Sequence, residues 1–147
     1  MIGVDDEINT QMMQMMTDNQ RTVFLKVLLF ASKIDGHVDE QEVGYIKKIA
    51  TKYKVSDIKR IFDPVTEEEL LDELTCLSER KWGMELIKEL FRLGYTDSNL
   101  TEEEIFFIGH VGSKLDIEKS KIEQISNWVI DYLVWKEQGK IIFEENA

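Results

Sequence analysis

The feature of this sequence that most constrains its fold is an internal repeat. Residues 34–43, IDGHVDEQEV, align with residues 96–105, TDSNLTEEEI, and three acidic positions are identical in the two segments. Self-similarity of this kind indicates two copies of one supersecondary unit. We therefore expect two helical hairpins, each with an acidic turn, that pack with pseudo-twofold symmetry and bring the two turns near each other.

Helical periodicity runs through both copies of the repeat. Val43, Ile46 and Ile49 follow the spacing of one helix face, and Ile105 and Ile108 repeat it. The chain has a single proline and no strict apolar–polar alternation, so we expect no sheet. The sequence thus predicts an all-α fold, a single domain of six to eight helices. We place the helices near 18–33, 40–53, 56–62, 67–78, 80–95, 102–114 and 118–137, with a short helix within 5–16 as an option and an irregular tail from residue 139.

Composition excludes several classes of partner. The 18 Lys and Arg residues stand against 29 Asp and Glu residues, which gives a net charge of −11. A charge of this sign repels nucleic-acid phosphates and anionic membrane surfaces, so neither is an expected partner. A single cysteine precludes an intrachain disulfide, and no apolar run approaches the ~18 residues of a membrane helix. Because the N-terminal residues also lack a signal-peptide pattern, we expect a soluble cytoplasmic protein.

Helix capping accounts for part of the acidity in the repeat. Thr101 and Glu104 have the spacing of a capping box, in which each side chain accepts from a backbone N–H group at the start of the helix. Asp39 and Glu42 have the same spacing in the first copy, and a third such pair occurs at 66 and 69. In this interpretation the carboxylates are caps and solvated charge.

Helix capping does not explain Asp35 and Asp97, which occupy equivalent positions in the two turns. An EF-hand is excluded because its first two ligand positions hold Ala31 and Lys33 in the first copy. A half-site from each turn can still combine into one shared site of oxygen ligands. Carboxylates suit the divalent cations Ca²⁺, Mg²⁺ or Mn²⁺ rather than soft metals. The candidate metal ligands are Asp35, Asp39, Glu42, Asp97 and Glu104.

The turn at 35–42, with the pattern D-G-x-V-D-x-x-E, leads into an apolar helix and has a partner in the second copy. In an acidic, all-helical domain of this size it resembles the TerB-like tellurite-resistance family. The same domain type occurs in the N-terminal part of some membrane-anchored J-domain co-chaperones. The resemblance covers residues 18–137, which leaves 1–17 as an N-terminal segment and 138–147 as a C-terminal tail.

The resemblance implies a non-enzymatic stress-response domain, built from two repeats, whose acidic turns bind a divalent cation, a partner protein or both. Ser98 and Thr101 replace the family's glycine and capping aspartate in the second turn, which favours one asymmetric metal site or none over a symmetric pair. The alternative is a pure protein-interaction or structural module without a metal site. The residues that match the family motif are Asp35, Asp39, Glu42 and Glu104.

Two apolar clusters offer other contact surfaces. The four methionines within 12–16 predict a helix that packs on the core or a disordered lead-in, with thioether ligands for Cu(I) or an adaptable surface for a partner as the alternatives. Trp128 and Trp135 share a stripe that is offset from the core face of the last helix. Together with residues 141–143 they predict either core packing or a contact surface, including one for self-association into a homo-oligomer.

Catalytic chemistry has no signature in this sequence. His37 and His110 lie on different elements, and with Cys76 they give no zinc spacing. We expect both histidines at the surface and Cys76 as a partly buried small side chain. No Gly-rich phosphate loop or nucleophile motif occurs. We therefore expect a protein that is not an enzyme.

Overall fold

The computed structural model describes residues 9–34, 36, 40–97 and 100–144, and every regular element within these ranges is helical. One hydrophobic core connects the helices, so the prediction of an all-α single domain is confirmed. The helices are α1 (Thr10–Met15), α2 (Asp18–Ser32), α3 (Glu40–Lys52), α4 (Lys59–Phe62), α5 (Glu67–Glu73), α6 (Arg80–Asp97), α7 (Glu102–Lys114) and α8 (Lys119–Phe143), with a 3-10 turn at Leu74–Cys76 between α5 and α6.

Both copies of the repeat have the same backbone. α2 and α6 begin at equivalent positions of the aligned copies, and α3 and α7 both begin and end at equivalent positions. Each second helix is followed by a left-handed residue, Lys54 with φ of 57° and Asp116 with φ of 58°. The next amide, of Val55 or of Ile117, then donates to the carbonyl five residues earlier, which is the bond of a Schellman cap. The sequence repeat is therefore a repeat of individual backbone hydrogen bonds.

A matched pair of contacts shows how the two copies face each other. The ring centroids of Phe30 on α2 and Phe107 on α7 lie 5.1 Å apart. The equivalent residues, Arg92 on α6 and Tyr45 on α3, also meet, with the guanidinium 5.5 Å from the ring centroid. Exchanging the copies converts one contact into the other, which is the condition that a twofold axis imposes. The pseudo-twofold packing is thus present, while the proximity of the two acidic turns, most of whose residues lie outside the described ranges, stays a prediction.

Each copy is also closed by a polar contact between the start of its first helix and the loop after its second. In the first copy the amide and the hydroxyl of Ser56 donate to the Asp18 carboxylate at 2.8 and 2.7 Å, and these hydrogen bonds lower the pKa of Asp18. In the second copy the equivalent residues, Arg80 and Glu118, form an ion pair of 2.7 Å that lowers the pKa of Glu118. The repeat therefore keeps the contact and changes its chemistry.

The two copies differ most in their third helix. α4 packs on α2, and α8 packs on α6. α4 ends after one turn, at Phe62, because Pro64 lacks an N–H group and disfavours helical backbone in the residue before it. α8 meets no proline and continues for 25 residues. The second copy thus carries a long helix that the first copy lacks.

Burial and helix bounds correct or decide three sequence predictions. Ile105 is exposed, contrary to its expected place on the core face of α7, and Phe107 is buried instead because it faces Phe30 across the pseudo-twofold axis. The expected irregular tail from residue 139 is wrong as far as Phe143, because the residues around Gly139 are good helix formers. The methionine cluster packs on the core through Met12, Met13 and Met16, whereas Met15 is exposed.

Candidate functional site

The acidic turns are only partly within the described residues. Asp35 and Asp39 lie outside them, and Asp97 is described only as the last residue of α6, without its side chain. Glu42 and Glu104, which occupy the same position in α3 and α7, are described. Among the described residues, no group of three or more His, Cys, Asp or Glu side chains is placed to hold a metal ion. A metal site at the turns therefore stays a prediction.

The described carboxylate of the second turn acts as a helix cap. Glu104 Oε1 accepts from the Thr101 amide at 3.2 Å and from its hydroxyl at 3.1 Å, while the Glu104 amide donates back to the hydroxyl. Thr66 and Glu69 form the third predicted capping box, and the backbone and side-chain hydrogen bonds of Thr66 lower the pKa of Glu69. In the first turn, Glu42 is buried at the start of α3.

Two of the other reactive side chains considered in the sequence, His110 and Cys76, lie within the described residues. His110 is exposed, as predicted, and its Nδ1 lies 2.8 Å from Glu67 Oε2. Cys76 is partly buried, as predicted, and desolvation raises the pKa of its thiol, which disfavours the reactive thiolate. His37 lies outside the described residues.

A buried ion cluster on α6 was not predicted from the sequence. Glu89 is 0% exposed, and its carboxylate accepts from Arg92 Nη2 at 2.6 Å and from Nε at 3.2 Å. Arg92 Nη2 also donates to the Tyr45 hydroxyl at 3.1 Å. Lys88 Nζ lies 3.9 Å from Glu89 Oε2 and 2.7 Å from Glu85 Oε2. A desolvated carboxylate is thereby held by two cations of its own helix.

The repeat contains a signal for this cluster. The alignment of the two copies places Glu89 over Val27 and Arg92 over Phe30, and both of the first-copy residues are apolar. A charged residue at a position where the other copy has a core residue points to a buried charge or to a surface with another role. The alignment therefore marks α6 as the place where the second copy departs from the common unit.

The largest departure is the outer surface of α8. Trp128, Tyr132, Trp135, Gly139 and Ile142 follow one another at spacings of four, three, four and three residues, and we call them the α8 stripe. Trp128 is 53% exposed, Trp135 is 59% exposed and Ile142 is 62% exposed. These exposures exclude core packing for Trp128, Trp135 and Ile142, so the interpretation of the segment as core is wrong for these residues.

The aromatic side chains of the α8 stripe are ordered by contact with one another. The rings of Trp128 and Tyr132 stack with centroids 5.8 Å apart and an interplanar angle of 6°. The centroids of Tyr132 and Trp135 lie 6.4 Å apart. Side chains held in this way lose less freedom when they bind, so the stripe is partly preorganised for contact.

A groove between α6 and α8 adjoins the stripe at its N-terminal end. The groove has a volume of about 380 Å³, and Met84, Ile125 and Trp128 form its apolar walls. Lys88 and Glu85 line it as well, so the partly exposed edge of the ion cluster and the stripe border the same space. A second and larger groove, of about 690 Å³, lies between α7 and α8 on the other side of the helix.

Comparison of the chain with protein-family models, with curated proteins and with solved structures gave no match. The TerB-like resemblance therefore stays a prediction. Among the described residues, no helix combines the length and the apolar character that a membrane span requires.

Proposed function

We propose that this protein is a non-catalytic interaction module that binds a protein partner through the α8 stripe. The observation that carries the proposal is the exposure of two tryptophans and an isoleucine at helical spacing on one helix. Contiguous exposed apolar residues of this size mark protein contact sites more often than free surface. Aromatic residues are also the side chains most enriched at the centres of protein interfaces.

The attachment of α8 to the domain supports this function. Val129 is buried on the face of the helix next to the stripe, and Ile125 and Leu133 pack against the core. The Tyr95 hydroxyl lies 2.9 Å from the Ser126 hydroxyl and adds a polar contact between α6 and α8. Beyond Leu133, no residue of α8 among those described packs on the core, so the C-terminal half of the helix is presented to a partner.

Photo-crosslinking in cells tests the proposal. A photoreactive amino acid in place of Trp135 is expected to give covalent protein adducts, because this side chain lies in the middle of the stripe and is 59% exposed. Thr75, which is exposed on the 3-10 turn, provides the control position. Equal adduct yields at the two positions, or none at Trp135, would contradict the proposal.

A divalent cation at the acidic turns, in a TerB-like stress-response role, is the second candidate function. It is supported by the equivalence of the two hairpins, which gives Glu42 and Glu104 matched positions at the starts of α3 and α7. Its test is thermal unfolding of chelator-treated protein with and without Ca²⁺, Mg²⁺ or Mn²⁺. A bound cation at about 100 times its Kd is expected to add about 2.7 kcal/mol to the free energy of unfolding.

The control for this experiment removes the turn carboxylates. Asp35→Asn with Glu42→Gln is expected to abolish the stabilisation by the cation, while Glu123→Gln, an exposed position on α8, is expected to leave it unchanged. No shift with any of these cations at millimolar concentration would rule out the metal site. A shift that survives the double substitution would place the cation elsewhere.

A further inference from the structure

We infer that the partner of the α8 stripe is a second copy of this chain, bound with the two α8 helices antiparallel. The inference rests on the proposed function and names the occupant of the same surface. It is carried by the spacing of the stripe, by a glycine that leaves room for a large side chain, by the neighbouring groove, and by the area and the charge of the helix.

The spacing of the stripe is that of a coiled-coil seam. Extended backwards by one further step, the stripe begins at Ile125 and alternates steps of three and four residues up to Ile142. Such a seam has two kinds of position, which alternate along the helix. In an antiparallel pair, a residue at one kind of position faces a residue at the other kind on the second helix. Tyr132 then faces Trp135 of the second copy, and each contact occurs twice.

The same register pairs one of the two tryptophans with the smallest residue of the stripe. Trp128 faces Gly139 of the second copy, and a side chain at Gly139 would have open space around its Cβ in the single chain, with nothing beyond the adjoining turns of its own helix within 4 Å. Glycine is among the poorest helix formers, and within the single chain no described neighbour requires it here. An indole ring from the second copy fills that space. Alternation of large and small side chains across a seam is what close packing of two helices requires.

The groove between α6 and α8 receives the end of the partner helix. In this register Ile142 of the second copy faces Ile125, which lines the groove together with Met84 and Trp128. The groove volume of about 380 Å³ exceeds what one isoleucine occupies, and the adjacent Phe143, 85% exposed, supplies further apolar volume. Two strongly exposed apolar residues at the end of α8 thus meet the apolar groove of the second copy.

The exposed apolar area is what a dimer of ordinary size needs. Trp128, Trp135, Ile142 and Phe143 are 53%, 59%, 62% and 85% exposed. With roughly 200 Å² for a fully exposed side chain of this size, they offer about 500 Å² of apolar surface on each copy. A standard interface buries about 800 Å² per partner, and homodimer interfaces are about 65% apolar. The apolar area that each copy exposes therefore agrees with the apolar share of a standard interface, which is about 65% of about 800 Å² per partner.

Charge favours this helix and this orientation. α8 carries four lysines and three carboxylates, a net charge of +1, so the net negative charge of the chain lies entirely outside this helix. An antiparallel pair places the two acidic bodies at opposite ends of the paired helices. A parallel pair would place them side by side, where like charges repel each other.

Sedimentation equilibrium of the purified full chain tests the self-association. At about 100 µM we expect a mass of twice 17.2 kDa for the wild type. Trp135→Lys is expected to weaken the dimer by at least about 100-fold, because it places a charge in the seam. Phe106→Lys, which is exposed on α7 outside the stripe, is expected to leave the dimer unchanged and serves as the control. A wild type with a mass of 17.2 kDa, or equal effects of both substitutions, would overturn the inference.

Disulfide formation tests the orientation, with Cys76→Ser in every variant. Trp128→Cys mixed with Gly139→Cys is expected to give a crosslinked dimer, whereas Gly139→Cys alone gives none, because its two copies lie about 16 Å apart along the antiparallel seam. A strong Gly139–Gly139 crosslink would overturn the antiparallel arrangement. If the purified chain is monomeric but other proteins are crosslinked at position 135 in cells, the second copy is wrong as the partner and the proposed function stands. If the chain is monomeric and no protein is crosslinked at position 135, the inference of a second copy and the proposed function are both contradicted.

Discussion

Arg92→Ala is expected to lower the free energy of unfolding by about 3–5 kcal/mol, since it leaves the buried Glu89 carboxylate without its closest cation. Arg92 donates two hydrogen bonds to one oxygen of Glu89, at 2.6 and 3.2 Å, and Glu89 is 0% exposed. Lys88 compensates only in part, because its Nζ lies 3.9 Å from Glu89. Chemical denaturation of the wild type and the variant measures the loss.

The repeat supplies a compensating variant for this experiment. Glu89→Val with Arg92→Phe installs the residues that the first copy has at the same positions, Val27 and Phe30. Replacing a buried ion pair with apolar residues of similar volume is often neutral or stabilising, so we expect most of the loss to be recovered. Lys81→Ala, at an exposed position of α6, is the control and is expected to have little effect. A loss of less than about 1 kcal/mol for Arg92→Ala would contradict a desolvated carboxylate at Glu89.

Phe107→Ala is the second substitution with a large expected effect, about 3–5 kcal/mol. Phe107 is 1% exposed, and its ring centroid lies 5.1 Å from that of Phe30 across the pseudo-twofold axis. Truncation removes the buried ring and leaves a cavity between the two hairpins, so both copies lose packing. Thermal or urea unfolding, followed by far-UV circular dichroism, measures the change.

Phe106→Ala is the matched control, because Phe106 is the preceding residue of the same helix and is 61% exposed. It is expected to change the free energy of unfolding by no more than about 0.5 kcal/mol. Similar losses for the two substitutions would mean that α7 is rotated relative to the arrangement described above. A small loss for Phe107→Ala alone would contradict the packing of the hairpins across the pseudo-twofold axis.

Helices and their repetition could be predicted from this sequence because they depend on local patterns. Caps, apolar periodicity and the alignment of the two copies are all carried by short segments, and the bounds of α3 and α7 follow them closely. The position of Ile105 could not be predicted, because helical spacing alone permits several core-facing stripes on α7. Contact with the other copy selects Phe107 instead.

The candidate site is harder to predict from the sequence. The aromatic residues of α8 fit core packing and a contact surface equally well. Spacing places Trp128 and Trp135 on one stripe, but only the packing of α8 on α6 decides which stripe is buried. Val129 is buried, which leaves both tryptophans exposed. The extension of α8 past Gly139 was missed because a glycine followed by a short apolar run is also typical of a helix end.

Both departures from the common unit lie together in the structure. Lys88 and Arg92 of the ion cluster line a narrow cleft together with Trp128 and Tyr132 of the α8 stripe. The first copy has Lys26 and Phe30 at the positions of the two cations, and α4 in place of a long helix. The shared unit thus supplies the scaffold, and the features that differ between the copies, Arg92 and the long α8, lie at the surface that we propose for binding.

A scan of photoreactive residues along α8 in cells tests the central claim most directly. Positions 128, 135 and 142 of the stripe are compared with Glu137, which is exposed on the opposite side of the same helix. The proposed function predicts adducts at the three stripe positions and few at Glu137, so the yield should follow the roughly 3.6-residue period of the helix. Adduct yields that are uniform around the helix, or highest at Glu137, would contradict it.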